Sequence, residues 1–147
     1  MSELEDKIHM AYHGAGRTIA HYHFDIPLIS VTLSASGNDI SIIPKDRTID
    51  VDKKIMISLA GPSSELICLG NINPILKGAM RRTRSYEQTE QKLDTMRNHI
   101  ESILKRPQHR YAIELLVNEL LIKLTLTGDE AFEIIKTAFK EYEKIKE

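Results

Sequence analysis

The chain has 147 residues, of which 41% are hydrophobic and 28% are charged, and its formal net charge is -1. This length fits a single domain over residues 1–147 with one buried core. A near-neutral charge gives no general attraction to nucleic acid or to an acidic membrane surface, so we expect neither as a partner. The sequence has no apolar run of the roughly 20 residues that span a bilayer, and its single cysteine, Cys68, is typical of a reducing compartment. These features predict a cytoplasmic protein.

The first predicted element is a helix that begins near Leu4 and ends between Tyr22 and Asp25, because Pro27 disfavours helix in the residue before it. Apolar residues recur at helical spacing and predict its buried face: Leu4, Ile8, Ala11, Ala15 and Ile19. A second set shares another face at four-residue steps: Glu5, His9, His13 and Arg17. His21 and His23 add ring nitrogens near the end of the helix.

Two glycines lie in the middle of this helix. Gly14 and Gly16 each lower helix stability by up to about 1 kcal/mol relative to alanine. This cost predicts that something packs closely against them. In one interpretation the neighbour is a strand or helix of the same protein, and in the other it is a peptide or a metal ion.

A small β element follows the helix. The runs Leu28 to Leu33 and Ile40 to Ile43 have β-type composition, and the turn signal Ser36 to Asp39 between them predicts a hairpin. A free strand edge there would suit an extended peptide. An apolar helix is then predicted from Val51 to Leu69, with Gly70 as its natural end.

Helices complete the chain. A capping box at Ser85 to Gln88 predicts one that ends before Pro107, a second runs to about Leu124, and a capping box at Thr127 to Glu130 opens the last. The basic run Lys77 to Arg84 is interpreted as a solvated helix end, with binding of a phosphate or an acidic partner as the alternative. We therefore predict an α+β protein that is mainly α-helical, with a small β-hairpin or sheet and a C-terminal helical bundle over about residues 85–146.

The helix face that carries His13 has the spacing of a zinc motif without its chemistry. In a His-Glu-x-x-His helix the two histidines bind zinc, and the glutamate activates the attacking water. Here His13 stands at the first position, Gly14 at the glutamate and Arg17 at the second histidine. With Ala15 and Gly16 inside the motif, the segment resembles the His-Glu-Ala-Gly-His helix in the protease domain of FtsH-type ATP-dependent zinc metalloproteases.

Two further segments carry the same resemblance, and a position between them departs from it. Leu59 to Gly70 is similar to the family pattern Leu-x-Gly-x-x-Ala-Glu-x-x-x-x-Gly, and Glu65 stands at its glutamate as a helix-capping, second-layer or structural hydrogen-bonding group. The family's third zinc ligand is an aspartate that falls on Asn73 or Pro74, neither of which is a good ligand. Arg106 to Glu130 is similar to the closing helices and the Leu-x-Gly-x-Glu turn. The resemblance covers about residues 7–145.

This resemblance implies a metallopeptidase-like helical domain whose zinc site is degenerate. Of three ligands and one base, His13 alone remains. The sequence has no Gly-x-x-x-x-Gly-Lys-Ser/Thr loop for a nucleotide, so ATP-driven degradation is not implied. We expect a catalytically inactive binding or structural protein without a cofactor, with a peptide or protein partner. The family's hexamers make an oligomer a further expectation.

Two alternative functions remain open, and the inactive protein carries one further hypothesis about Arg17. In an active peptidase, His9 and His13 would form a rebuilt zinc site with a carboxylate from elsewhere. In a module for acidic ligands, Lys77 to Arg84 would bind with steep salt dependence. In the inactive protein, Arg17 would take the place of the cation and pair with Glu65 or Asp25.

Overall fold

The computed structural model describes residues 2–72 and 89–146. The N-terminal part contains helix α1 (Glu3–His23), strands β1 (Leu28–Leu33) and β2 (Ile40–Pro44), and helix α2 (Val51–Leu69). The C-terminal part contains α3 (Glu90–Leu104), α4 (Pro107–Lys123), the short strand β3 (Thr125–Thr127) and α5 (Gly128–Lys146). The mainly helical α+β fold class predicted from the sequence is therefore confirmed.

Local sequence signals set most of these boundaries. The Asp50 side chain accepts a hydrogen bond from the backbone of Lys53 at the start of α2, and Gly70 ends that helix with φ of 84°. The capping box that opens α5 is formed reciprocally by Thr127 and Glu130. Helix α3 begins after Thr89, which caps it. The capping box predicted at residues 85–88, the basic run 77–84 and the positions Asn73 and Pro74 lie outside the described residues.

The three strands form an antiparallel sheet in the order β2-β1-β3. The predicted hairpin of β1 and β2 is confirmed, with Val31 opposite Ile42. On its other side Val31 lies opposite Leu126 of β3. The sequence did not predict strand β3. Its pattern indicated a helix to about Leu124 and the capping box of the next helix from Thr127. The third strand ties the C-terminal helices to the hairpin.

Helix α1 lies at the centre of the described fold and packs against α2, α4 and the sheet. Ala11, Ala15 and Ile19 are fully buried, which confirms most of the predicted apolar stripe. Leu4 is 66% exposed, so its expected burial was wrong. The stripe is buried only beyond the first turn of the helix. Among residues 2–72 and 89–146, no helix combines the length and apolar character needed to cross a bilayer.

Candidate functional site

A buried cluster of one carboxylate and two imidazoles lies between α1 and α2. Glu65 is fully buried, and its two carboxylate oxygens face the Nδ1 atoms of His9 and His13 at 3.5 Å each. The two histidines are 7% and 4% exposed. Both contacts are longer than ordinary N–H···O hydrogen bonds, which measure about 2.7–3.2 Å. We call His9, His13 and Glu65 the His–Glu cluster.

Small residues bring α1 and α2 close enough to form this cluster. Gly16 packs against Ala60 and Ser64, and a Cβ at Gly16 would lie 2.6 Å from the carbonyl oxygen of Ala60. The Ser64 hydroxyl donates a hydrogen bond of 2.7 Å to the carbonyl oxygen of Tyr12. The two backbones therefore touch without large side chains between them, and Glu65 reaches α1 directly.

Gly61 provides the space for the His13 ring. A Cβ at Gly61 would lie 2.5 Å from Nε2 and 2.6 Å from Nδ1 of His13, well inside van der Waals contact. Gly61 and Glu65 are one turn apart on α2, so the ring packs on the glycine and faces the carboxylate. The His13 ring is thus packed against Gly61 on one side and lies beside the Glu65 carboxylate on the other.

Gly14 stands where the motif has its catalytic base, and it lies under Ile40 of β2. A Cβ at Gly14 would lie 2.9 Å from Cγ1 of Ile40 and closer still to Cδ1. The close neighbours expected of the two helix glycines are therefore parts of this protein, a strand at Gly14 and helix α2 at Gly16. A longer side chain at position 14 would require the end of the Ile40 side chain to move.

Arg17 lies one turn beyond His13 and is partly buried. One turn further, His21 is 3% exposed, and burial together with the nearby Arg17 charge lowers its pKa to about 4. His21 is therefore neutral at physiological pH. The permanent charge of Arg17 stands at the motif's second ligand position, where it opposes the binding of a metal cation.

The residues of the degenerate motif do not fit a zinc ion as they stand. Within the described ranges, no group of three or more His, Cys, Asp or Glu side chains is arranged to hold a metal. The motif supplies one imidazole, His13, which already faces Glu65, together with the cationic Arg17 and the side-chain-free Gly14. A zinc site needs at least three protein ligands around one point, each a neutral imidazole, a thiolate or a carboxylate.

A second pair of histidines, His23 and His109, lies at the far end of α1, and the sequence did not predict that His109 belongs to it. His23 is exposed, and its ring centroid is 6.3 Å from that of His109, which lies 5.0 Å from Phe139. Burial and the charge of Arg106 lower the pKa of His109 to about 4. The spacing of His109 with Ala112 in the apolar stripe of α4 was the signal that could have revealed its burial.

The fold and the site together define a mainly helical α+β domain with a buried His–Glu cluster beside a small sheet. No family model matches the chain, and none of the curated proteins matches it significantly. The resemblance to FtsH-type protease domains therefore remains a prediction, and the function has to be argued from the residues of the site.

Proposed function

We propose that the protein is a catalytically inactive relative of helix-motif zinc peptidases, which has kept the fold as a binding or structural protein. The observation that carries the proposal is the packing around the motif positions. His13 faces the buried Glu65, and Gly14 is covered by Ile40. The positions that would bind metal and activate water are thus used for internal packing.

Charge supports the same proposal. A peptidase of this type needs a second imidazole ligand for zinc at the second histidine position and a carboxylate base beside the first. This chain has the guanidinium of Arg17 and the hydrogen side chain of Gly14 there. The Arg17 charge takes the cation's place in this proposal, and it stabilises the site without a bound ion.

The proposal is tested by zinc retention and cleavage together. The protein is loaded with zinc, dialysed and analysed by elemental mass spectrometry beside His13→Ala, with the exposed His99→Ala as a matched control. We expect far less than one zinc per chain in all three proteins, and no cleavage of unfolded casein with zinc present. Retention of one zinc per chain that is lost only in His13→Ala would overturn the proposal.

A second candidate function is an active zinc peptidase with a rebuilt site, and one observation favours it. The structure brings a carboxylate, Glu65, to the histidine pair His9 and His13. These side chains are donors of the type that the rebuilt site would need, but they are not arranged to hold a metal and would have to move to bind one. This candidate predicts casein cleavage that is present in the parent protein and absent in His9→Ala. Cleavage that survives the substitution would refute it.

A further inference from the structure

The outer edge of β2 has a definite hydrogen-bonding pattern. Backbone hydrogen bonds of 3.0 Å from Ser34 N–H to the carbonyl oxygen of Asp39, and of 2.9 Å from Lys45 N–H to that of Pro27, point across the hairpin. Because successive residues of a strand point their N–H and C=O groups to opposite sides, the odd-numbered residues of β2 face β1. Ile40, Ile42 and Pro44 therefore direct their backbone groups away from the sheet.

Within the described parts of the chain, Ile42 is the only one of these outward residues with both groups available. The N–H of Ile40 donates to its neighbour's side chain, Asp39 Oδ1, at 2.9 Å, and Pro44 has no N–H. Within residues 2–72 and 89–146, β2 is an edge strand with β1 as its single partner in the sheet. A new strand on this edge would thus form a reciprocal pair of backbone hydrogen bonds at Ile42 and at no other residue.

We propose that the partner on this edge is β2 of a second copy of the chain, paired antiparallel about a two-fold axis at Ile42. A two-fold axis at this residue places the N–H of each Ile42 opposite the Ile42 carbonyl of the other copy. Each N–H therefore donates a hydrogen bond to that carbonyl. The same register places Asp39 opposite Lys45 of the second copy, and the two-fold axis repeats this contact. Both residues are exposed and belong to the outer face.

The charged residues favour this register over the adjacent one, in which the two-fold axis lies at Ser41. Pairing about Ser41 would also form two hydrogen bonds, but it would place Lys45 opposite Gly37 and Asp39 opposite Ile43, leaving the charges unpaired. Within the chain, Lys45 lies 3.8 Å from Asp129, and both side chains are more than half exposed. Such an exposed pair contributes little, so Lys45 remains available to the second copy.

The pairing is small and self-limiting. An edge of this length buries less than the roughly 1,000 Å² of a stable interface, so we expect a dissociation constant on the order of 100 µM. Once two β2 edges have paired, neither presents that edge to a third chain. The inference depends on the backbone of β2 and not on the His–Glu cluster, so zinc retention would overturn the proposed function and leave this inference intact.

A charge-swap experiment tests the register. Sedimentation velocity of the parent protein up to about 1 mM should show a reversible dimer. Lys45→Glu and Asp39→Lys should each weaken it about tenfold, because both cross-strand pairs become repulsive. An equimolar mixture of the two variants should dimerise again, since the lysine introduced in one variant and the glutamate introduced in the other restore opposite charges across the axis. Lys140→Glu, the same change on α5, is the matched control.

A parent protein that stays monomeric at every concentration would overturn the proposal, as would variants that dimerise like Lys140→Glu. Because Asp39→Lys removes a turn contact, a disulfide gives an independent readout. In a Cys68→Ser background, Ile42→Cys places two Cα atoms about 5.5 Å apart across the axis, within disulfide range. Ile43→Cys would place them about 8 Å apart and should not crosslink in a thiol buffer. Equal crosslinking of both variants would refute the pairing.

Discussion

The contact between Gly61 and the His13 ring predicts an unusual outcome for Gly61→Ala. In an unobstructed helix this substitution stabilises by about 0.8–1 kcal/mol, because alanine has the higher helix propensity. Here the added Cβ would lie 2.5 Å from Nε2 of His13, so the ring or the helix must move. Overpacking of this kind costs about 1–3 kcal/mol. We therefore expect Gly61→Ala to lower the free energy of unfolding by up to about 2 kcal/mol.

A double-mutant cycle separates the two contributions. In a His13→Ala background the ring is gone, and Gly61→Ala should stabilise by about 1 kcal/mol. The difference between the two backgrounds is a coupling energy of about 1–3 kcal/mol, measurable by urea unfolding followed by circular dichroism. Equal stabilisation by Gly61→Ala in both backgrounds would show that the His13 ring does not pack on Gly61.

Two further predictions concern stability. The pKa values of His21 and His109 are lowered by burial from the usual 6.5 to about 4, so the unfolded chain binds more protons between these limits. The associated stability is present above pH 6.5 and is lost as the pH falls towards 4, by about 2 kcal/mol per imidazole at pH 5. Urea unfolding at pH 7 and 5 measures this loss; the exposed His99→Gln should leave it unchanged, and equal stability at both pH values would refute it. Ser64→Ala removes the hydrogen bond to the Tyr12 carbonyl but keeps the Cβ that packs on α1, so it should lower the free energy of unfolding by about 1 kcal/mol. An unchanged thermal midpoint would show that this hydrogen bond does not stabilise the fold.

The elements that could be predicted from the sequence are those with local signals. The bounds of α2 follow from the polar residue before Val51 and from Gly70 after Leu69, and the hairpin follows from its turn residues. Strand β3 has three residues and pairs with β1 almost a hundred positions earlier, so it has no periodicity of its own and exists through tertiary pairing.

The candidate site was predictable only in part. The alignment of His9 and His13 on one face follows from helical spacing, and the apolar surroundings of Glu65 indicated that it needs a partner. That the partners are these histidines depends on how α1 and α2 cross, which is set by the fit of Gly16 against Ser64. Such a register is a property of two packed surfaces, and a single helix pattern does not contain it.

The contact between Gly14 and Ile40 also bears on evolution and on attempts to engineer activity. A glutamate at position 14 would meet the outer atoms of the Ile40 side chain, so that side chain would have to turn aside to admit it. A smaller residue at position 40 would ease the same substitution. Sequence changes at these two positions should therefore be epistatic, with the cost of a side chain on the helix set by the residue on the strand.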